Sequence, residues 1–308
     1  MLGAALAAFT PATAFAFRDR FATSRAGRPT TIHYDSEDRS PLPQPPAGVF
    51  DLVRYPSAVG ALGAYVTPNP GDGGRHPAII WLTGGETNTV GDVWSPRPRS
   101  NDQSAAAYRT NGVAMMFPSL RGGNDNPGQL EGFYGEIDDV IAARDWLASQ
   151  SWIDPERIYL GGHSTGGALA CLVAEASDRF RATFAFGPVS SVTRDYGSEF
   201  VRVDFSSTEG MVEEALYRAP LYWLPSVRRK LFIIEGTIDS NVDLLREMRE
   251  ADAADGRNPN IEFVEVSGAD HFSVLAPANE VIAQKILRDT GATTSITLTS
   301  AELRRGAR

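Results

Sequence analysis

"RIYLGGHSTGGALACLVAEA", Arg157 to Ala176, decides the reading of this chain. "RIYL" reads as a short strand and "GGALACLVAEA" as a buried helix. Ser164 stands at the turn between them, with Gly162 two residues before and Gly166 two after. In a chain this rich in glycine, a G-x-S-x-G match arises by luck about 0.2 times, so the motif alone says little. The strand–turn–helix setting carries the weight. Such a turn holds its serine in a strained conformation where only small neighbours fit, and Gly162, Gly166 and Gly167 supply that room. The start of the helix also offers the Thr165 N–H to a developing negative charge.

Working outward, apolar runs alternate with helical patterns. "VFDLVRYPSAVGALGAYVTP" reads as two strands in an antiparallel hairpin, and "AIIWL" as a strand covered on both faces. "SAAAYRTNG" reads as a helix closed by Gly112, followed by a strand at "VAMMFP". A helix is expected over "EIDDVIAARDWLASQ", where Ile137, Val140, Ile141 and Leu147 recur at helical spacing and Asp138 and Asp139 suit the first turn. After the serine segment come strands at "ATFAFG", "KLFIIEG" and "IEFVEV", and helices at "NVDLLREMREADA" and "NEVIAQKILRDT". The alternation predicts an α/β fold: a mostly parallel central sheet with helices on both faces and active-site loops at the carboxyl ends of the strands. Residues 188–224 break the rhythm and read as a small cap insertion within a domain spanning 49–290. Residues 18–48, with "SPLPQPPAG", read as a proline-rich arm or linker, and 291–308 as a polar, loose tail.

A serine hydroxyl needs a base. Of four histidines, His33 lies in the arm, His76 precedes a strand at the wrong end of the sheet, and His163 must leave the tight turn in another direction. His271, in "VSGADHFSV", follows the last strand and is the expected base. A carboxylate must orient it. Asp239, in "EGTIDSNV", follows the penultimate strand and takes that role. Asp270 adjoins the ring's own backbone and suits loop hydrogen bonding, Asp243 lies within a helix, and Asp204 lies in the insertion. The second oxyanion donor is expected in "LTGGETN", at Gly85, with Gly84 or Glu86 as alternatives. No metal or organic cofactor is implied.

The net charge is −9, from 29 Lys and Arg against 38 Asp and Glu. Without a basic run, the chain is not expected to bind nucleic acid. Cys171 is the single cysteine, which excludes an intramolecular disulfide and a cysteine zinc site, and it reads as a buried helix residue. Residues 1–17 are apolar, with "AFA" at Ala14 to Ala16 resembling a cleavage site, so export to the periplasm or medium is expected. The alternative is an uncleaved leader on a cytoplasmic protein. No segment reads as an integral membrane span, and the sequence sets no oligomeric state.

These stretches together resemble the catalytic domain of the prolyl oligopeptidase family of α/β-hydrolases, over roughly Phe50 to Thr290. "LTGGE" stands where the family has His-Gly-Gly, and "PSLRGGNDNPG" resembles its Arg-Gly loop. "WIDPERIYLGGHSTGG" resembles its Asp-Pro-x-Arg strand and nucleophile, and "EGTIDSNV" and "DHFSV" its Asp and His segments. Much of this is shared with dienelactone-hydrolase-like enzymes and esterases. The chain order Ser164, Asp239, His271 matches the fold's usual order. Three departures stand out. Thr83 replaces the oxyanion-loop histidine, which a backbone donor tolerates. About 50 residues ahead of the domain are too few for the β-propeller of large members. No acidic pair to hold a substrate amino terminus is assignable: of Glu209, Glu213 and Glu214, the last two suit a solvated helix face.

The expected activity is a serine hydrolase that cleaves a carboxylic ester or amide through an acyl-enzyme, with esters favoured because peptide-gating parts are missing. A prolyl-oligopeptidase-type peptidase, aminopeptidase or dipeptidyl-type, is the alternative. An acyltransferase and a catalytically silent binding module are more distant. The partner is a small ester or short peptide. Phe205, Tyr217, Tyr222 and Trp223 either shape the substrate pocket or form the core of the cap.

Overall fold

The apolar runs pair into one eight-stranded sheet in a computed structural model that describes residues 20–195 and 209–305. The strands are β1 (Asp51–Ser57), β2 (Gly60–Val66), β3 (His76–Leu82), β4 (Ala114–Pro118), β5 (Ile153–His163), β6 (Ala182–Phe186), β7 (Lys230–Gly236) and β8 (Ile261–Val266). Their order is β1-β2-β4-β3-β5-β6-β7-β8. β2 runs antiparallel to both neighbours and the other pairings are parallel. The chain passes from β3 outward to β4, then returns to the other side of β3 as β5. That reversal opens a crevice at the carboxyl ends of β3 and β5, the place where such sheets bind ligands.

The helices are α1 (Arg20–Arg25), α2 (Ala107–Thr110), α3 (Glu136–Ala148), α4 (Thr165–Ala176), α5 (Val192–Asp195), α6 (Glu209–Leu216), α7 (Val242–Ala254), α8 (Leu275–Arg288) and α9 (Ser300–Arg305). Successive strand residues point to opposite faces, and the core divides accordingly. Ala78, Ile80 and Leu82 of β3 pack with Ile137 and Val140 of α3 and Leu169 of α4. Ile79 and Trp81 pack with Tyr108 of α2 and Ile282 of α8 on the other face. Leu231 and Ile233 of β7 meet Leu245 and Met248 of α7, together with buried Cys171. Each large aliphatic side chain so buried contributes about 1.5–3 kcal/mol.

Four segments differ from the sequence expectation. The "AYRT" helix is a single turn, Ala107–Thr110. α8 starts at Leu275 rather than Asn279, with Pro277 accommodated in the first turn, where its missing N–H costs nothing. The tail is not loose: Ile296, Leu298 and Leu303 are buried against α8. Nor is the arm a linker. Phe21, Ile32 and Leu42 are buried, and Tyr34 exchanges two backbone hydrogen bonds with Leu130. Isolated apolar residues among prolines carry no period, so their burial was not readable from pattern. The leader lies outside the described residues. Among the described residues, no helix is long and apolar enough to cross a membrane.

Asp289 fastens the tail. Its buried carboxylate accepts from Arg181 Nε (2.7 Å) and Nη2 (3.1 Å), the Tyr159 hydroxyl (2.7 Å) and the Ser295 N–H (3.0 Å). Burial alone would raise its pKa; Arg181, Tyr159 and Ser295 outweigh that and hold it well below the usual carboxylate range. Asp289→Ala, which leaves Arg181 buried without its partner, is expected to cost about 3–5 kcal/mol in urea unfolding at pH 7. Because the native pKa is depressed, the contribution is complete above the unfolded-state value of about 3.9 and is lost as acid titrates the native group. The gap between wild type and variant should therefore narrow below pH ~4; a gap that stays constant there would refute the assignment.

Candidate active site

β5 ends at His163 and α4 begins at Thr165, so Ser164 alone makes the turn. Its backbone is at φ 56°, ψ −119°, a region non-glycine residues rarely occupy, at a cost of order 1–3 kcal/mol. The surroundings hold it there. The Ser164 N–H donates to the Phe186 carbonyl at 2.8 Å. A Cβ on Gly162 would lie 2.3 Å from the Gly166 carbonyl oxygen, and one on Gly166 would lie 2.3 Å from that of Leu82. Only glycine lets β3, β5 and α4 approach this closely.

The loop after β3 lies against this turn. Gly84 is packed on Ser164 and His163 so tightly that a Cβ there would stand 3.2 Å and 3.0 Å from them. Gly85 adopts φ +81°, and its carbonyl accepts the Thr165 hydroxyl at 2.8 Å. The two residues expected to supply oxyanion N–H groups are thus joined by a hydrogen bond. A second network anchors the same loop. Asn88 Nδ2 donates to the Arg121 carbonyl (2.8 Å) and to Glu136 Oε1 (3.0 Å), and buried Arg121 is fixed by Asp139 and Glu131.

His271 reaches the turn from the loop after β8. Its ring lies 4.4 Å, centroid to centroid, from that of His163, the residue beside Ser164. His163 is buried, and its Nε2–H donates to the His271 carbonyl at 3.0 Å. Burial, reinforced by the neighbouring His271, pushes the His163 pKa down to about 3. The ring is therefore neutral and serves as a brace for the His271 backbone.

The contact that the sequence assigns to Asp239 is made by Glu235. His271 Nδ1 donates to Glu235 Oε2 at 3.0 Å, and Glu235 Oε1 accepts the Gly236 N–H at 2.6 Å. Asp239 stays nearby: one ligating atom from each of Glu235, Asp239 and His271 falls within 4.8 Å of the others. Its Oδ1 instead accepts the Asn241 N–H at 2.8 Å, closing the turn after β7. Glu235 is the penultimate residue of β7, whereas Asp239 sits on the turn that follows, from which Asn241 Nδ2 also comes within 3.3 Å of His271 Nδ1. Gly187, at φ +54°, makes the space: a Cβ there would come within 2.5 Å of both Nδ1 and Glu235. A carboxylate ending the wholly apolar run "LFII" was the signal available in the sequence.

The remaining candidates separate clearly. Asp270 accepts the Phe272 and Ser273 N–H groups and closes the turn ahead of α8. His76 pairs with Asp72 at the amino end of β3, and His33 approaches the Thr30 carbonyl in the arm. Tyr217 stacks on Trp223 (5.7 Å, 5°), and both pack on Phe21, which makes them a core between insertion and arm. Tyr222 is exposed, and Phe205 and Asp204 lie outside the described residues. Glu214 is not on a solvated face. It accepts from Thr30, Thr31 and the buried Arg218, because the arm covers that side of α6.

The strand order, the strained serine after β5 and the histidine after β8 define an α/β-hydrolase. More narrowly, the chain belongs to the prolyl oligopeptidase family, whose model matches residues 100–288. A dipeptidyl-peptidase 5 of Porphyromonas gingivalis is 25% identical over 224 residues, which cover 68% of this chain and 32% of that protein. The match thus spans about a third of that curated relative's length. Two solved structures share the fold. A puromycin-hydrolysing peptidase of Mycobacterium tuberculosis has a TM-score of 0.61 at 20% identity, covering 80% of this chain and 40% of that one. An esterase of Pyrococcus furiosus has a TM-score of 0.59 at 16% identity, covering 89% of this chain and all of that one.

Glu235→Gln is expected to lower turnover of a p-nitrophenyl ester by about 10³- to 10⁴-fold, the loss typical of a missing orienting carboxylate. Asp239→Asn should cost far less. Steady-state kinetics of both variants checks this, and the reverse ranking would return the orienting role to Asp239.

Proposed function

We propose that this protein is a serine peptidase of the prolyl oligopeptidase type acting on short peptides or related amides. In this reading Ser164 Oγ attacks the acyl carbonyl while His271 Nε2 takes its proton. Glu235 holds the opposite N–H and stabilises the imidazolium. The N–H groups of Gly85 and Thr165 meet the oxyanion, His271 returns the proton to the leaving amine, and water then releases the acyl group. The observation that carries the reading is the strained Ser164 lodged between a fixed glycine loop and a histidine whose Nδ1 is already committed to a buried carboxylate.

Amides are preferred over esters on two grounds. Family membership and the peptidase relative favour them. The second ground is a cavity of about 430 Å³ beside Gly85, lined by Tyr34, Asp38, Glu86 and Phe133 among others. Asp35 and Glu37 add further negative charge to its wall. An acidic recess next to the oxyanion loop favours a substrate with a cationic end, such as a free peptide amino terminus. The acids come from the arm and the loop after β3, not from the insertion.

The test compares a short p-nitrophenyl ester with aminoacyl and dipeptidyl p-nitroanilides, each with a free and an N-acetylated amino group. Anilide cleavage that prefers the free amine by about tenfold, and falls by at least about 10⁴-fold in Ser164→Ala, is expected. Ester turnover without any anilide cleavage would make the protein an esterase.

A further inference from the structure

Arg218, two residues beyond α6 in the insertion, is fully buried. Burying a guanidinium is costly, and apolar residues of similar volume often replace a buried ion pair without loss of stability. What only arginine supplies is a planar fork of five donors. Here the fork joins three segments. Nε donates to the Gly132 carbonyl at 2.7 Å, and Nη2 to the Glu131 carbonyl at 2.6 Å and to Thr30 Oγ1 at 2.9 Å. Nη1 donates to the Glu214 carboxylate at 2.7 Å and to the Glu214 carbonyl at 2.8 Å. Glu214 in turn accepts the Thr30 hydroxyl and the Thr31 N–H, each at 2.8 Å.

The two segments that Arg218 grips outside the insertion run directly into the lining of the cavity beside Gly85. Leu130, Gly132 and Phe133 line it from one segment, and Tyr34 to Asp38 from the other. Tyr34 and Leu130 tie the two together through their paired backbone hydrogen bonds of 3.1 and 3.0 Å. Beyond the cavity, the Arg39 guanidinium donates to the Gly122 and Asn126 carbonyls, so the arm strip is pinned at both ends. Phe133 stands at φ 73°, where a bulky residue is a strained exception, and Gly132 before it at φ 60°. Such a backbone persists only where its surroundings hold it. Arg218 grips the two carbonyls just ahead of it.

We propose that Arg218 is a positioning residue for substrate binding: it fixes the shape of the acidic cavity, and so the affinity for a cationic amino end, without touching substrate or the reacting atoms. The inference rests on the reading of that cavity as the seat of a peptide amino terminus. Asp35, Glu37, Asp38 and Glu86 attract a cation whatever the exact outline of the cavity, but a hydrogen-bonded fit needs the two segments in fixed register. Ser164 is held by β3, β5 and β6, and Gly85 by Thr165, none of which Arg218 contacts through its fork. Loosening the fork therefore weakens capture of the amino end and leaves the chemical step alone, which separates KM from kcat.

The experiment measures kcat and KM in wild type, Arg218→Lys and Glu214→Gln. The substrates are a dipeptidyl p-nitroanilide with a free and with an acetylated amino group, and a short p-nitrophenyl ester. Lysine keeps the charge but not the fork. In Arg218→Lys, KM for the free-amine anilide is expected to rise about tenfold, with kcat and ester turnover within about twofold of wild type, so the preference for the free amine collapses. Glu214→Gln, isosteric and on a partly exposed residue, carries the test should Arg218→Lys fail to fold, with an expected rise of about threefold. A uniform loss on all three substrates, the mark of a merely structural residue, would overturn the proposal. So would a free-amine preference unchanged in both variants while the wild type shows it, a result that leaves the cavity reading standing. A wild type that cleaves no anilide, or is indifferent to acetylation, would overturn the cavity reading itself and this inference with it.

Discussion

The turn at Ser164 is the constraint around which this fold is arranged. A residue at φ 56° persists only where its surroundings over-determine it. Here three strands and a helix do so at once. β6 supplies the acceptor for the Ser164 N–H, β3 presses its last carbonyl on Gly166, and β5 closes on α4 across Gly162. The same crowding brings the glycine loop after β3 onto the serine. Moving any of these elements apart would relax the turn and, with it, the alignment of Gly85 and Thr165.

Histidine plays two parts that its two positions explain. His271 arrives on the loop after β8 with its Nδ1 held by the buried Glu235. His163, adjacent to the serine, is buried and neutral, and holds the backbone of the first. The tight turn sends His163 sideways, so its ring meets the loop after β8.

The sheet, its helices and the serine and histidine loops were legible in sequence because they rest on local signals. Apolar runs such as "AIIWL" have only one use in a doubly covered sheet, and glycines around a serine restrict the turn. The carboxylate that meets His271 was legible only as to region. Choosing between Glu235 and Asp239 depends on where a strand ends relative to a ring arriving from another loop, which is a matter of tertiary register. The packing of the arm and tail is hidden in the sequence for a related reason. Phe21, Ile32, Leu42 and Leu303 are single apolar residues in polar surroundings, and each is buried by contacts far away in sequence. Glu214 reads as solvated in the sequence because two of its partners, Thr30 and Thr31, come from that arm.

The arm has two neighbours, and the combination gives it leverage. Residues 28–31 clasp α6 through Glu213 and Glu214, while residues 34–38 line the cavity beside Gly85. The sheet, the elbow and the oxyanion loop can stay fixed while this strip changes. If the cavity receives substrate as proposed, its lining can change by drift in a short peripheral segment, with the costly strained turn left untouched.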